Sequence, residues 1–241
     1  IMAIASKKQS VKEVFDINIL IGGAAVQGIQ TIGGMLAVIF RRAGLQVFCL
    51  QDYQSRVRGC HNTFRVRISN EPLYAATQRV DMLVSMNAET YRIHLPEVVH
   101  KGIILYDTGQ LKPELLLDTM AGIPAAIIAE QSVKDTKLTN TVTLGALLGL
   151  LQFDITLLEK VFEEKFQKKG AAIAQMNIAA AKAGYDYVKE HYSAVSIKLP
   201  LDAKPQQLRT RPAVKVKTLP KGSMMLMTGT DAAGFGMLAA G

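Results

Sequence analysis

Residues 53–62, "YQSRVRGCHN", put two guanidinium groups and an imidazole within six positions: Arg56, Arg58 and His61. Ser55, Asn62 and Thr63 add neutral hydrogen-bond donors around them. Guanidinium forks match the oxygens of a phosphate, so this spacing suits a polyanionic ligand. The plain alternative is a solvated loop whose cations find one or two carboxylates. A second stretch, "IGGAAVQGIQTIGGML" (21–36), has the glycines of a phosphate-cradling turn. Gly23 and Gly28 keep the GxxxxG spacing, but Ile29 and Gln30 stand where a nucleoside-triphosphate loop needs Lys and Ser/Thr. The GxGxxG dinucleotide pattern fails too, since Ala24 and Gln27 occupy two of its glycine positions. Asp52 sits about where a ribose-binding acid would follow the second strand, which keeps a nicotinamide-dependent dehydrogenase as the alternative reading. His94 and His100 read as surface or core histidines rather than ligands.

Something must carry these groups. Ile17–Ile21 reads as a short buried strand, followed by the glycine loop and a helix over Gln27–Ala43 that Gly44 ends. "LQVFCL" (45–50) is a second strand. In "NTFRVRIS" (62–69), Phe64, Val66 and Ile68 alternate with Arg65 and Arg67, the pattern of a strand with one wet face, so a hairpin lies within an otherwise parallel sheet. "VDMLVSM" (80–86), "GIILYD" (102–107) and "PAAIIAE" (124–130) are three further strand candidates, with helix-like "AETYRIHLPEVVHK" (88–101) between the first two. Three helices follow: 139–153, 154–166 with Asp154 as N-cap, and about Gly170–His191. This alternation predicts a three-layer α/β/α, Rossmann-like domain with a mainly parallel sheet. Residues 193–222, rich in cations and proline and without periodicity, read as a linker. From 223 to 241 a strand, a glycine turn and a small-residue helix begin a second α/β domain that stops short.

The 241 residues are 49% hydrophobic and 20% charged, which supports one sizeable core. The longest apolar run, Val142–Leu151, is too short to cross a bilayer, and the N-terminus lacks a signal-peptide arrangement, so a soluble cytoplasmic chain is expected. Two cysteines, Cys49 and Cys60, form neither a CxxC pair nor a Cys/His cluster, so this chain offers no four-cysteine cluster and no zinc site. A disulfide between them is open, but reduced thiols in packing roles are the reading taken. The net charge of +8 is concentrated at both ends: nine Lys/Arg against three Asp/Glu up to Asn70, and seven against two from His191 onward. That suits a polyanionic ligand and an acidic partner. Nucleic acid is disfavoured, with no Trp and no basic stripe interleaved with aromatics.

The stretch from "ILIGGAAVQGIQ" to "YQSRVRGCHNTFRVRIS" resembles the gamma domain of the 2-oxoacid:ferredoxin oxidoreductases, which carry a GGAxGQG loop and a Y-x-S-x-x-R-G-G-H-N-like segment. The tail "LMTGTDAAGFGMLAAG" is similar to the opening of the alpha domain that follows gamma in fused subunits. The resemblance implies a gamma domain over 1–192, a linker over 193–222 and the start of a thiamine-pyrimidine-binding alpha domain over 223–241. By position, Gly22, Gly23, Gln27 and Gly28 match the glycine loop, and Ser55, Arg58, Gly59, His61 and Asn62 match the arginine segment; with Arg56 these are the expected cofactor-binding residues. The family converts a 2-oxoacid and coenzyme A to acyl-CoA and CO2 and reduces ferredoxin. Thiamine diphosphate with Mg2+ and [4Fe-4S] clusters are then expected in partner domains or chains, with catalytic and metal-binding residues outside this chain. The implied partners are a thiamine-binding beta subunit and ferredoxin or a ferredoxin-like cluster subunit, in a hetero-oligomer. The gamma-before-alpha order leans to 2-oxoglutarate or a broad-range enzyme. Val26 stands where the family has glycine, Cys60 replaces the second glycine of the arginine segment, and Thr230–Asp231 replace Asn-Glu in the alpha opening. A structural interaction module without ligand contact is the other alternative. Met224, Met225, Leu226, Phe235 and Leu238 are expected to present apolar surface to a partner.

Overall fold

The computed structural model describes residues 14–25, 27–52, 61–167, 170–196 and 226–240. Six strands form one sheet: β1 (Asp16–Ala24), β2 (Gln46–Asp52), β3 (His61–Ser69), β4 (Val80–Ser85), β5 (Val98–Asp107) and β6 (Met120–Ile123), in the order β2-β3-β1-β4-β5-β6. β1, β4, β5 and β6 run parallel, while β3 is antiparallel to both β1 and β2. The expected hairpin is therefore β2–β3, inserted at one flank of a parallel sheet.

Alternate residues divide the sheet into two faces, as the period of two requires. Ile19 and Ile21 of β1, Met82 and Val84 of β4, and Ile103 and Leu105 of β5 enter the main core. There they meet α1 (Ile29–Arg42), α3 (Ala125–Val133), α4 (Thr139–Leu150), α5 (Thr156–Phe166) and α6 (Ala171–His191). Leu20, Leu83 and Ile104 face the other way, into a smaller cluster with Tyr106, Leu111 and Met120. That thin layer is capped by the seven-residue α2 (Ala88–His94), through Tyr91, and by Leu95 of the 3-10 turn Leu95–Glu97. The three layers are thus present but unequal. α4 shows why its apolar run stops short of a membrane span: from Val142 to Leu150 every residue is buried, inside the protein. Close approach to α6 depends on small residues, since a Cβ on Gly145 would lie 1.8 Å from the carbonyl oxygen of Ala181.

Four expectations change. Residues 124–130 are helix, not strand: α3 buries Ala125, Ile128 and Ala129 at helical spacing. The strand of this region is β6, immediately before Pro124, which lacks the N–H a continued strand would need. An apolar run with no polar punctuation fits either period, and here the helix won. The helix expected over 88–101 ends at His94, because Pro96 allows only the 3-10 turn and Val98–Lys101 joins β5. Asp154 caps α5 from one residue further out than expected, its Oδ1 accepting the Thr156 N–H at 2.9 Å. Beyond the linker, Leu226–Thr228 are not strand and α7 (Gly229–Ala240) is helical; the rest of 193–225 after Ser196 lies outside the described residues. Leu226, Phe235 and Leu238 are exposed as expected, and Met224 and Met225 lie outside the described residues.

Candidate functional site

The glycine loop leaves the carboxyl end of β1, where ligand loops of parallel sheets gather. Gly28 takes the left-handed conformation (φ 69°) that starts α1 with no side-chain cap. Gln27 closes the turn: its backbone N–H donates to the Ala24 carbonyl at 2.9 Å and its Oε1 accepts the Ala24 N–H at 2.7 Å. Its amide nitrogen donates to the Met86 carbonyl at 3.0 Å, tying the loop to the end of β4. The loop glycines are closed over by the protein's own side chains. An added Cβ would lie 2.4 Å from Thr90 Cγ2 at Gly22, 2.6 Å from Gln27 Oε1 at Gly23 and 2.1 Å from Asn140 Nδ2 at Gly28. Thr90 is itself held, donating its hydroxyl to Asn87 Oδ1 at 2.8 Å.

The arginine segment meets this loop through the sheet. β3 pairs with β1 so that Asn62 lies opposite Gly23 and His61 opposite Ala24. Gly22, Gly23, Gln27, Gly28, His61 and Asn62 therefore gather at one end of the sheet. Ser55, Arg56, Arg58 and Gly59, with Val26 and Cys60, lie outside the described residues. The ends of the strands they connect, Asp52 and His61, are at the same rim.

His61 opens a chain of polar contacts that sequence reasoning missed. Its Nε2 lies 2.8 Å from Nε2 of His94, and His94 Nδ1 lies 2.9 Å from Glu97 Oε1. Glu97 Oε2 in turn accepts from the Arg65 guanidinium. Burial raises the Glu97 carboxyl, but the hydrogen bonds from Arg65 and His94 outweigh it and hold the group below the usual carboxylate range. Burial, then the neighbouring His94, push His61 below the ordinary histidine value, against smaller opposing effects of Glu89 and Asp52. His61 Nδ1 is buried with no hydrogen-bond partner among the described residues. The His94–Glu97 spacing was the available signal; that His94 faces His61, 33 residues away, only the fold supplies. His100 is exposed, as a surface histidine.

The nicotinamide alternative loses its geometry. Asp52 pairs with Thr63, which pairs with Gly22, so β3 stands between β2 and the glycine strand. At about 4.8 Å per strand, that places the acid roughly 10 Å from β1 across the sheet, where a ribose-binding acid belongs on the adjacent strand. Among the described residues no group of three His, Cys, Asp or Glu side chains could hold a metal ion, and no helix is long and apolar enough to cross a membrane. Cys49 is a free thiol whose pKa burial pushes up to about 11. A shallow groove between Gln152, Tyr185, Lys189 and Tyr192 lies at the far end of α4 from the glycine loop.

Known proteins share the fold. The alpha subunit of 2-oxoacid:ferredoxin oxidoreductase 2 of Aeropyrum pernix is 23% identical over 94% of this chain, which spans 40% of that subunit's length. The 2-oxoglutarate synthase subunit KorC of Methanocaldococcus jannaschii is 27% identical, over 72% of this chain and 94% of KorC. The structure of 2-oxoglutarate:ferredoxin oxidoreductase from Magnetococcus marinus with 2-oxoglutarate, coenzyme A and succinyl-CoA bound superposes with a TM-score of 0.67 at 27% identity, covering 79% of this chain and 33% of that one. The family model for pyruvate ferredoxin/flavodoxin oxidoreductase matches residues 18–187, which takes in every strand from Asn18 onward and the whole glycine–histidine rim. By that match the chain belongs to the pyruvate ferredoxin/flavodoxin oxidoreductase family.

Proposed function

We propose that this chain is the gamma part of a 2-oxoacid:ferredoxin oxidoreductase, 2-oxoglutarate being the favoured substrate, and that it holds coenzyme A by its phosphates while other parts carry out the oxidative decarboxylation. The observation that carries the reading is the β1–β3 register, which sets Gly23 against Asn62 and Ala24 against His61 and so joins two motifs some 40 residues apart at one rim. The bound coenzyme A of the Magnetococcus enzyme supports it. Thiamine diphosphate with Mg2+ supplies the decarboxylation chemistry when bound and [4Fe-4S] clusters the electron path, both in partner parts that include a beta subunit and ferredoxin or a ferredoxin-like subunit. In this reading the chain's own share is positioning. A cytoplasmic location goes with this role. Residues 1–192 would be the gamma domain, 193–222 a linker and 223–241 the opening of an alpha domain. KorC matches over 72% of the chain, whereas the longer Aeropyrum alpha subunit matches over 94%, which supports a second unit after the family domain.

A second reading, an assembly module without ligand contact, draws on the closure of Gly22, Gly23 and Gly28 by Thr90, Gln27 and Asn140. Arg58→Ala in the assembled enzyme separates the two. Loss of a charge-assisted phosphate contact of about 1.5–3 kcal/mol raises the KM for coenzyme A roughly 10- to 100-fold, while 2-oxoacid-dependent CO2 exchange stays nearly intact. An unchanged KM removes Arg58 from the site and favours the assembly module. Loss of both activities points to folding or assembly.

A further inference from the structure

The polar chain at the rim fixes where one proton can go. Glu97, held as a carboxylate by Arg65, can only accept, so His94 Nδ1 carries the hydrogen between them. His94 Nε2 is then a bare lone pair, and the 2.8 Å contact requires His61 Nε2 to donate to it. His61 Nδ1 is left bare in turn, buried and without a partner among the described residues. A second proton on His94 Nε2 would set two N–H groups against each other at 2.8 Å. The pair therefore accepts one added proton, at His61 Nδ1, with every contact of the chain kept.

We propose that an anion docking at this rim, coenzyme A through its phosphates, binds together with one proton, which His61 Nδ1 takes from solvent. The inference rests on the coenzyme A reading above and adds the group that makes the site's charge conditional. The balance is simple: imidazole becomes imidazolium, no bond to the ligand forms and no electrons move. Without the anion, a proton at Nδ1 is a buried donor with no acceptor among the described residues. Among the described residues, the groups that act on the ring are His94 and Glu89 from α2 and Asp52 from β2, with Glu97 beyond His94 and Arg65 beyond Glu97. Burial and His94 hold its pKa below the ordinary histidine value against the pull of Glu89 and Asp52. A phosphate brings further negative charge and acceptor oxygens, which reverses that balance. The empty site then carries less positive charge than the filled one, and an anion is favoured over a neutral ligand of the same shape.

Calorimetric titration of coenzyme A into the assembled enzyme, near pH 7 in two buffers of different ionisation enthalpy, counts the protons taken up. The wild-type enzyme takes up a substantial fraction of one proton, and its Kd weakens as pH rises from about 6 to 8, by at most tenfold per pH unit. His61→Gln, which cannot take the proton, binds more weakly, loses that uptake and flattens the pH dependence. His94→Gln keeps an acceptor for His61 Nε2–H but removes the opposing imidazole, so the pH of greatest uptake moves upward. Uptake that is absent in the wild type, or the same in His61→Gln, overturns the proposal. If Arg58→Ala still weakens binding in that case, the coenzyme A reading stands alone; if neither Arg58→Ala nor His61→Gln changes coenzyme A binding, both fall.

Discussion

Gly22→Ala tests what the glycine loop is for. The new Cβ would lie 2.4 Å from Thr90 Cγ2 and 3.0 Å from Thr90 Oγ1, with His61 Cε1 at 3.3 Å on another side. Carbon atoms rest at about 3.5–4.0 Å, so more than 1 Å of movement is required. Thr90 is fully buried, and its hydroxyl bond to Asn87 Oδ1 at 2.8 Å holds its rotamer, so it cannot turn away cheaply. Overpacking of this kind costs about 1–3 kcal/mol, which for a chain of this size lowers Tm by roughly 2–12 °C. Thr90→Ser deletes the offending methyl and keeps the hydroxyl. In a double-mutant cycle read by thermal unfolding of the full chain, Gly22→Ala and Thr90→Ser should therefore couple favourably, by about 1 kcal/mol or more. Gly34→Ala, in the middle of α1 with nothing within 4 Å, is the control and should stabilise by up to about 1 kcal/mol. An unchanged Tm in Gly22→Ala, or a double variant no better than the sum of its parts, would refute the packing argument and return this glycine to close approach by a ligand.

Gly145→Ala drives a methyl to 1.8 Å from the Ala181 carbonyl oxygen, a backbone atom that only separation of α4 from α6 can clear; a loss of about 3 kcal/mol or more should appear as a lower urea midpoint. Asp16 is held below the ordinary aspartate value of 3.8, chiefly by its hydrogen bond from Arg67. A lowered folded pKa lends stability that is complete above that ordinary value and lost as pH falls through the folded one, so Asp16→Asn should flatten the acid limb of a urea-midpoint series from about pH 5 to 2. With both side chains part-exposed, the effect at neutral pH stays within about 1 kcal/mol. Cys49, its thiol pushed up to about 11, should react with iodoacetamide at pH 8 on the order of 100-fold more slowly in the folded chain than in the unfolded one, measured in a Cys60→Ser background.

Much of this protein was legible in its sequence, for local reasons. Alternation in "NTFRVRIS" marked a half-wet strand, glycine spacing marked a strand-to-helix turn, and the failed fingerprints excluded the standard nucleotide loops. These are properties of neighbours along the chain. Where a segment was apolar throughout, as at 124–130, periodicity offered no choice between strand and helix, and packing of Ala125, Ile128 and Ala129 decided it. Only the tertiary structure decided the site. The sheet order placed β3 between Asp52 and the glycine strand, which removed the nicotinamide geometry. It also set His61 beside His94, 33 residues on, and Arg65 beside Glu97, 32 residues on, two contacts that no spacing rule encodes. Local pattern records which face a residue shows; which face meets it depends on the register of strands far apart in sequence, and that is settled by the whole core at once.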